Sequence, residues 1–211
     1  MIRAGVFLLF VGVAAATTGF DTIQPMTSAT FECLAKNGYQ FFVARVWESV
    51  GNYDETGIAN IKHANAAGWK WVDGYIFPCL HSTCAPPENQ VRATVDRLKS
   101  EGAKYGMLWL DIEVFQWSSN KVSNQQFITR MGNELDALKV NWGIYTNNYN
   151  WASIVGDWDH YAHKNLWWAN YNGHQDYSGF KPFGGWSKPN IHQYSGSVKG
   201  PCNVNLDQNW Y

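Results

Sequence analysis

Residues 105–115 read YGMLWLDIEVF. The apolar run 107–110 is short, follows Gly106 and leads directly into Asp111-Ile112-Glu113, which suits a buried strand better than a helix. Successive side chains of a strand alternate faces, so Asp111 and Glu113 share one face and Ile112 takes the other. Two carboxylates on one face at the end of an apolar strand resist joint ionisation, and one of them should hold its proton to higher pH than usual. Such a group can donate a proton to a leaving group near neutral pH. An isolated Asp-x-Glu is nonetheless a weak motif, because a strand running out into solvent reads the same way.

The flanking sequence supplies the context. Upstream, 19–23, 41–47 and 70–77 read as strands. They alternate with helices over about 28–36, from Asp54 or Thr56 to 67, and 89–100, the last with Val91, Val95 and Leu98 on one face. Downstream come a helix over 123–139, a strand over 140–145, a brief helix over 151–158 and a strand over 166–171. A Gly-rich aromatic loop over 172–188 follows, and the last short strands are 191–194 and 204–206. Strand–helix–strand alternation predicts parallel strands joined by crossover helices. Seven or eight strands in one domain favour an irregular closed (β/α) barrel of the TIM type over an open sheet, and no GxGxxG follows the first strand. In such a barrel the site lies at the C-terminal strand ends. That rim would gather Asp21 from the first strand, Tyr75 from the third, Asp111 and Glu113 from the fourth, and Gln193, Tyr194, Asn205 and Asp207 from the last ones.

Composition narrows the partners. Lys and Arg number 16 against 17 Asp and Glu, so there is no electrostatic case for nucleic acid or an acidic membrane surface. Residues 1–16 carry Arg3, an apolar stretch and a small-residue cleavage signal, the pattern of a secretory signal peptide. The expected mature domain is 17–211, either secreted or routed to a lysosome or phagosome. No later segment reaches the roughly 20 apolar residues of a spanning helix. Four cysteines in an exported chain suggest two disulfides. The short spacing of Cys79 and Cys84 makes a local bridge the preferred pairing, with Cys33 joined to Cys202, and the other two connectivities stay open. No clustered ligand set suggests a metal or cofactor. His63, His160, His163 and His174 lack partners in the sequence, while His192, beside Gln193, is a candidate substrate contact. Twelve Trp and eleven Tyr, many beside Asn, Gln or Asp, suit a carbohydrate groove as well as a core.

Several motifs occur in a recognisable order: GFD at 19–21, DGYIF at 73–77, WLDIE at 109–113, YTN at 145–147, LWWANY at 166–171 and HQYSG at 192–196. Together they resemble glycoside hydrolase family 25, the Chalaropsis-type lysozymes. The resemblance implies hydrolysis of β-1,4 bonds between N-acetylmuramic acid and N-acetylglucosamine in bacterial peptidoglycan, with no cofactor. It implies Glu113 as general acid, Asp111 as its ionised assistant acting on the substrate acetamido group or the developing cation, and Asp21 as a third acid. It also implies sugar contacts from Tyr75, Tyr145, Trp168, Tyr171 and Gln193. The family's terminal Val-Asp-x-Asn is not matched at Val204-Asn205, so Asp207, two residues further on, is the stand-in for the last acid. The alternatives are a chitinase-like glycosidase, whose upstream run of acids is absent here, and a non-catalytic carbohydrate-binding protein, which would need no paired acids. Nothing demands more than a monomer.

Overall fold

Thr27 starts the first helix in the manner its sequence suggests: its hydroxyl accepts from the Thr30 N–H, and Thr30 answers by accepting the Thr27 N–H. Asp54 and Asn120 cap the second and fourth helices without the reciprocal bond, accepting from the N–H groups of Gly57 and Ser123. The computed structural model describes residues 16–211; the predicted signal peptide lies outside the described residues except for Ala16. In chain order the elements are β1 (Thr18–Thr22), α1 (Ser28–Lys36), β2 (Tyr39–Trp47), α2 (Glu55–Ala66), β3 (Trp71–Ile76), α3 (Pro87–Ser100) and β4 (Leu108–Asp111). They continue with α4 (Lys121–Ala137), β5 (Trp142–Thr146), α5 (Asn148–Ile154), β6 (Asn165–Ala169), β7 (Ile191–Lys199) and β8 (Asn205–Trp210). The strands close into one barrel in sequence order.

Parity organises the barrel. Phe41, Val43, Trp109, Tyr145, Trp167 and Ile191, all odd-numbered, pack into one cluster inside the strands. Their even-numbered neighbours, among them Phe42, Leu108, Leu110, Ile144 and Leu166, join the larger core beneath the helices with Phe31, Leu34 and Ile58. The interior is tight enough to need a missing side chain: a Cβ on Gly143 would lie 2.5 Å from the Trp109 ring. Outside, α2 approaches β2 so closely that a Cβ on Gly57 would come within 1.6 Å of the Arg45 carbonyl oxygen.

The expectation of uniformly parallel strands fails at the last one. β8 runs antiparallel to both β7 and β1. The chain returns from β7 through a short 3-10 turn, Pro201–Asn203, with Cys202 and Asn203 at φ of 62° and 61°. A parallel return needs a dozen or more residues, so this link can only fold back as a hairpin. β7 and β8 are also longer than their sequence pattern suggested. Both preferred disulfides are present: Cys33–Cys202 ties α1 to the β7–β8 turn, and Cys79–Cys84 closes the loop after β3. Among the described residues no helix is long and apolar enough to cross a membrane.

Candidate active site

β4 ends at Asp111, but its ladder runs one residue further, since the Ile112 N–H donates to Tyr145 O at 2.9 Å. The alternation therefore persists past the strand, and Asp111 and Glu113 face the same cavity, with Ile112 wholly buried on the other side. Beyond Glu113 the chain curls, held by the Trp117 indole N–H donating to Glu113 O at 2.9 Å. The cavity, about 160 Å³, is lined by Asp21, Tyr75, Asp111, Glu113, Tyr145, Trp167, Tyr171, Gln193 and Asp207. Two further cavities adjoin it: one of about 560 Å³ toward β1, β2 and β8, and one of about 310 Å³ toward the ends of β5 and β6. Glu113 borders all three.

Asp21 and Asp207 are direct cross-strand partners. Asp21 Oδ1 accepts from Gln193 Nε2 at 2.8 Å and from Asn209 Nδ2 at 2.7 Å. The Gln193 carbonyl in turn accepts from the hydroxyls of Tyr145 at 2.6 Å and Tyr171 at 3.1 Å, and the Asn209 carbonyl accepts from the Trp167 indole N–H at 2.7 Å. Each amide thus bridges an aromatic donor to the Asp21 carboxylate, which fixes the side chains of five strands or their ends in one network.

Four carboxyls in this space are all pushed above the ordinary carboxylate range. Burial raises Asp21 from 3.8 to about 8, helped by the negative charge of Asp207 and opposed by the hydrogen bonds from Asn209 and Gln193. Asp111 is raised strongly, by burial first and then by Glu113 and Asp21, with Arg45 opposing. Glu113 is raised by burial and by Asp207. Asp207 is raised by burial and held back by the Ser197 N–H that donates to it. Asp111 is the more deeply seated of the pair, only 5 % exposed and with Oδ1 lacking a hydrogen-bond partner.

Stability should follow. Folded-state values raised above the unfolded ones contribute stability that is complete below the unfolded value, near 3.8, and lost as pH climbs through the folded value, about 8 for Asp21. The thermal midpoint is expected to fall between pH 5 and pH 9, and Asp21→Asn to flatten that decline. Differential scanning calorimetry of both proteins across this range checks it; parallel curves would refute the raised Asp21.

The chain is similar to known proteins over most of its length. Residues 12–194 match the family described as Lys-1: Lysozyme-like protein 1. Lysozyme-like protein 5 of Caenorhabditis elegans is 47% identical over 205 residues, spanning 96% of this chain and 95% of that protein. Probable GH family 25 lysozyme 4 of Dictyostelium discoideum is 35% identical over 205 residues, spanning 97% and 95%. The chain belongs to glycoside hydrolase family 25. The fold agrees: the structure of muramidase from Acremonium alcalophilum superposes with a TM-score of 0.73 at 20% identity, covering 92% of this chain and 93% of that one.

Within this family-25 barrel, the predicted residues Asp21, Tyr75, Asp111, Glu113, Tyr145, Tyr171, Gln193 and Asp207 converge on the cavity. Trp168 does not. It faces the outer layer, stacked on His192 with ring centroids 4.3 Å apart and packed against Phe180. Its neighbour Trp167 lines the cavity instead, because Trp167 pairs with the inward-facing Tyr145 across β5 and β6. His192 is also out of reach of the cavity: it is fully buried, with its ring nitrogens 2.7 and 2.8 Å from the carbonyls of Asp176 and Asn170. Asn209 was missed by sequence reasoning, though a signal existed. Leu206-Asp207-Gln208-Asn209 repeats the family's terminal pattern with Leu in place of Val, two residues beyond Val204. Asp207 reaches the rim because antiparallel β8 begins there.

Proposed function

We propose that this chain is an exported muramidase that hydrolyses the β-1,4 bond between N-acetylmuramic acid and N-acetylglucosamine in bacterial peptidoglycan, for defence or for digestion of bacteria. The observation that carries the reading is the position of Glu113 at the junction of three adjoining cavities. A bound glycan strand can lie with sugars on both sides of this carboxyl, which puts the bridging oxygen beside it. Glu113 is half-buried, enough to keep its proton and enough to reach the substrate. It donates that proton to the leaving oxygen while positive charge develops on the sugar ring. Asp111 sits deeper, and its partnerless Oδ1 matches the N–H of a 2-acetamido group. A carboxylate there orients the acetamido oxygen toward the anomeric carbon. Tyr75 and Tyr145 keep their hydroxyl protons, since burial lifts both phenols well above their usual range, and serve as neutral hydrogen-bonding groups in the site. Trp167 supplies an apolar wall.

The lysozyme names of the relatives support the substrate class, and the signal-peptide pattern with two disulfides supports export. A monomer acting without metal or cofactor suffices for this chemistry. Digesting purified peptidoglycan should release new reducing ends on muramic acid, identified by borohydride reduction and mass spectrometry. Reducing ends on N-acetylglucosamine alone would overturn the bond assignment.

A further inference from the structure

The end of the barrel opposite the acids also carries a cavity, of about 480 Å³, where the parallel strands begin. Aromatic rings form its walls. Trp71 is 61 % exposed and Tyr211 40 %, and Tyr211 packs on Phe41 with ring centroids 5.0 Å apart. An indole this exposed is unusual for a residue that ordinarily buries most of its surface. Three asparagines, Asn141, Asn165 and Asn190, share the lining with Asp73, whose carboxylate oxygens accept from the Met107 N–H and the Trp109 indole N–H. The asparagines' amide donors are unspent on protein oxygen among the described residues. The Asn165 NH₂ meets only the Met107 sulfur at 3.6 Å, the Asn190 side chain uses its carbonyl to accept from the Leu166 N–H, and the Asn141 side chain has no protein hydrogen bond. The cavity does not end there. Met107, Asn141 and Asn165 also border a second, open cavity of about 540 Å³ that continues past Trp142 to Lys139 and Lys164.

We propose that this face is a second saccharide-binding groove, which holds a glycan strand of the polymer while the acid-lined rim cleaves another. Exposed rings match the apolar C–H faces of pyranose sugars, and uncommitted amide donors match their hydroxyl and acetyl oxygens. Two joined cavities suit a chain of sugars better than a single small molecule. Because the groove lies at the opposite end of the barrel from Glu113, one molecule can engage two strands, and the second contact raises residence on an insoluble polymer without touching the chemistry. The inference rests on the proposed function only for the identity of that polymer.

The test uses the full chain carrying Glu113→Gln, so that binding is read without cleavage, and purified insoluble peptidoglycan as the probe. Adding Trp71→Ala and Tyr211→Ala is expected to weaken co-sedimentation roughly five- to tenfold, the scale of a lost aromatic anchor. Trp71→Tyr should restore most of it. With Glu113 intact, the same substitutions should leave cleavage of short soluble muramyl oligosaccharides unchanged. Equal retention of parent and variant, or no retention of the parent, overturns the groove. So does a concentration-dependent dimer abolished by Trp71→Ala, since that assigns the face to a second copy of the chain. Should the enzyme with intact Glu113 fail to cut peptidoglycan, the proposed function falls, while the sedimentation comparison still decides this one.

Discussion

Glu113→Gln is expected to lower peptidoglycan hydrolysis by roughly 10²–10⁴-fold, the contribution of a positioned general acid, while the fold and its unfolding transition persist. The amide matches the carboxyl in size and removes only the transferable proton and the charge. Glu113 is half-buried, and its hydrogen bond with Trp117 is accepted by its backbone oxygen, which the substitution leaves alone. The pH profile sharpens the test. A general acid must be protonated, so activity should decline as pH rises through the raised Glu113 value. Asp207 is one cause of that rise, hence Asp207→Asn should bring the alkaline limb to lower pH. Turbidity clearance of bacterial cell walls across pH 4–9 measures both. Near-parental rates for Glu113→Gln would remove it from the role of acid.

The second large effect is on stability. The Cys33–Cys202 bridge joins residues 169 apart, and Cys79–Cys84 residues 5 apart. In the chain-entropy account the long loop contributes about 5 kcal/mol and the short one about 2 kcal/mol. For a domain of this size, 5 kcal/mol corresponds to a midpoint lower by roughly 10–20 °C. Cys33→Ala with Cys202→Ala should therefore destabilise far more than Cys79→Ala with Cys84→Ala. Activity should suffer too, because the long bridge anchors the turn that leads into β8, and β8 supplies Asp207 and Asn209 to the site. Thermal melts of the two pairs decide it: equal shifts would contradict the loop-length reasoning.

Much of the barrel was legible because its signals are local. Alternation along 107–113 put Asp111 and Glu113 on one face, caps such as Asp54 marked helix starts, and strand–helix spacing gave the parallel run from β1 to β7. The choice between Trp167 and Trp168 was not local. Both lie on one strand, and only the pairing of Trp167 with Tyr145 across two strands decides which enters the cavity. The direction of β8 depends on a turn too short for a crossover, and with it the reason why Asp207 stands opposite Asp21.

The sequence by itself determined which residue types are available and, through strand periodicity, that two acids share a face; those are properties of neighbours along the chain. The tertiary structure alone decided how much water each carboxyl loses and which charges it meets. That is why Asp21, Asp111, Glu113 and Asp207 are all pushed above the ordinary carboxylate range, although only two of them are neighbours in the motif. Desolvation and long-range Coulomb interactions depend on what the closed barrel brings together from distant segments, and no reading of adjacent residues contains them.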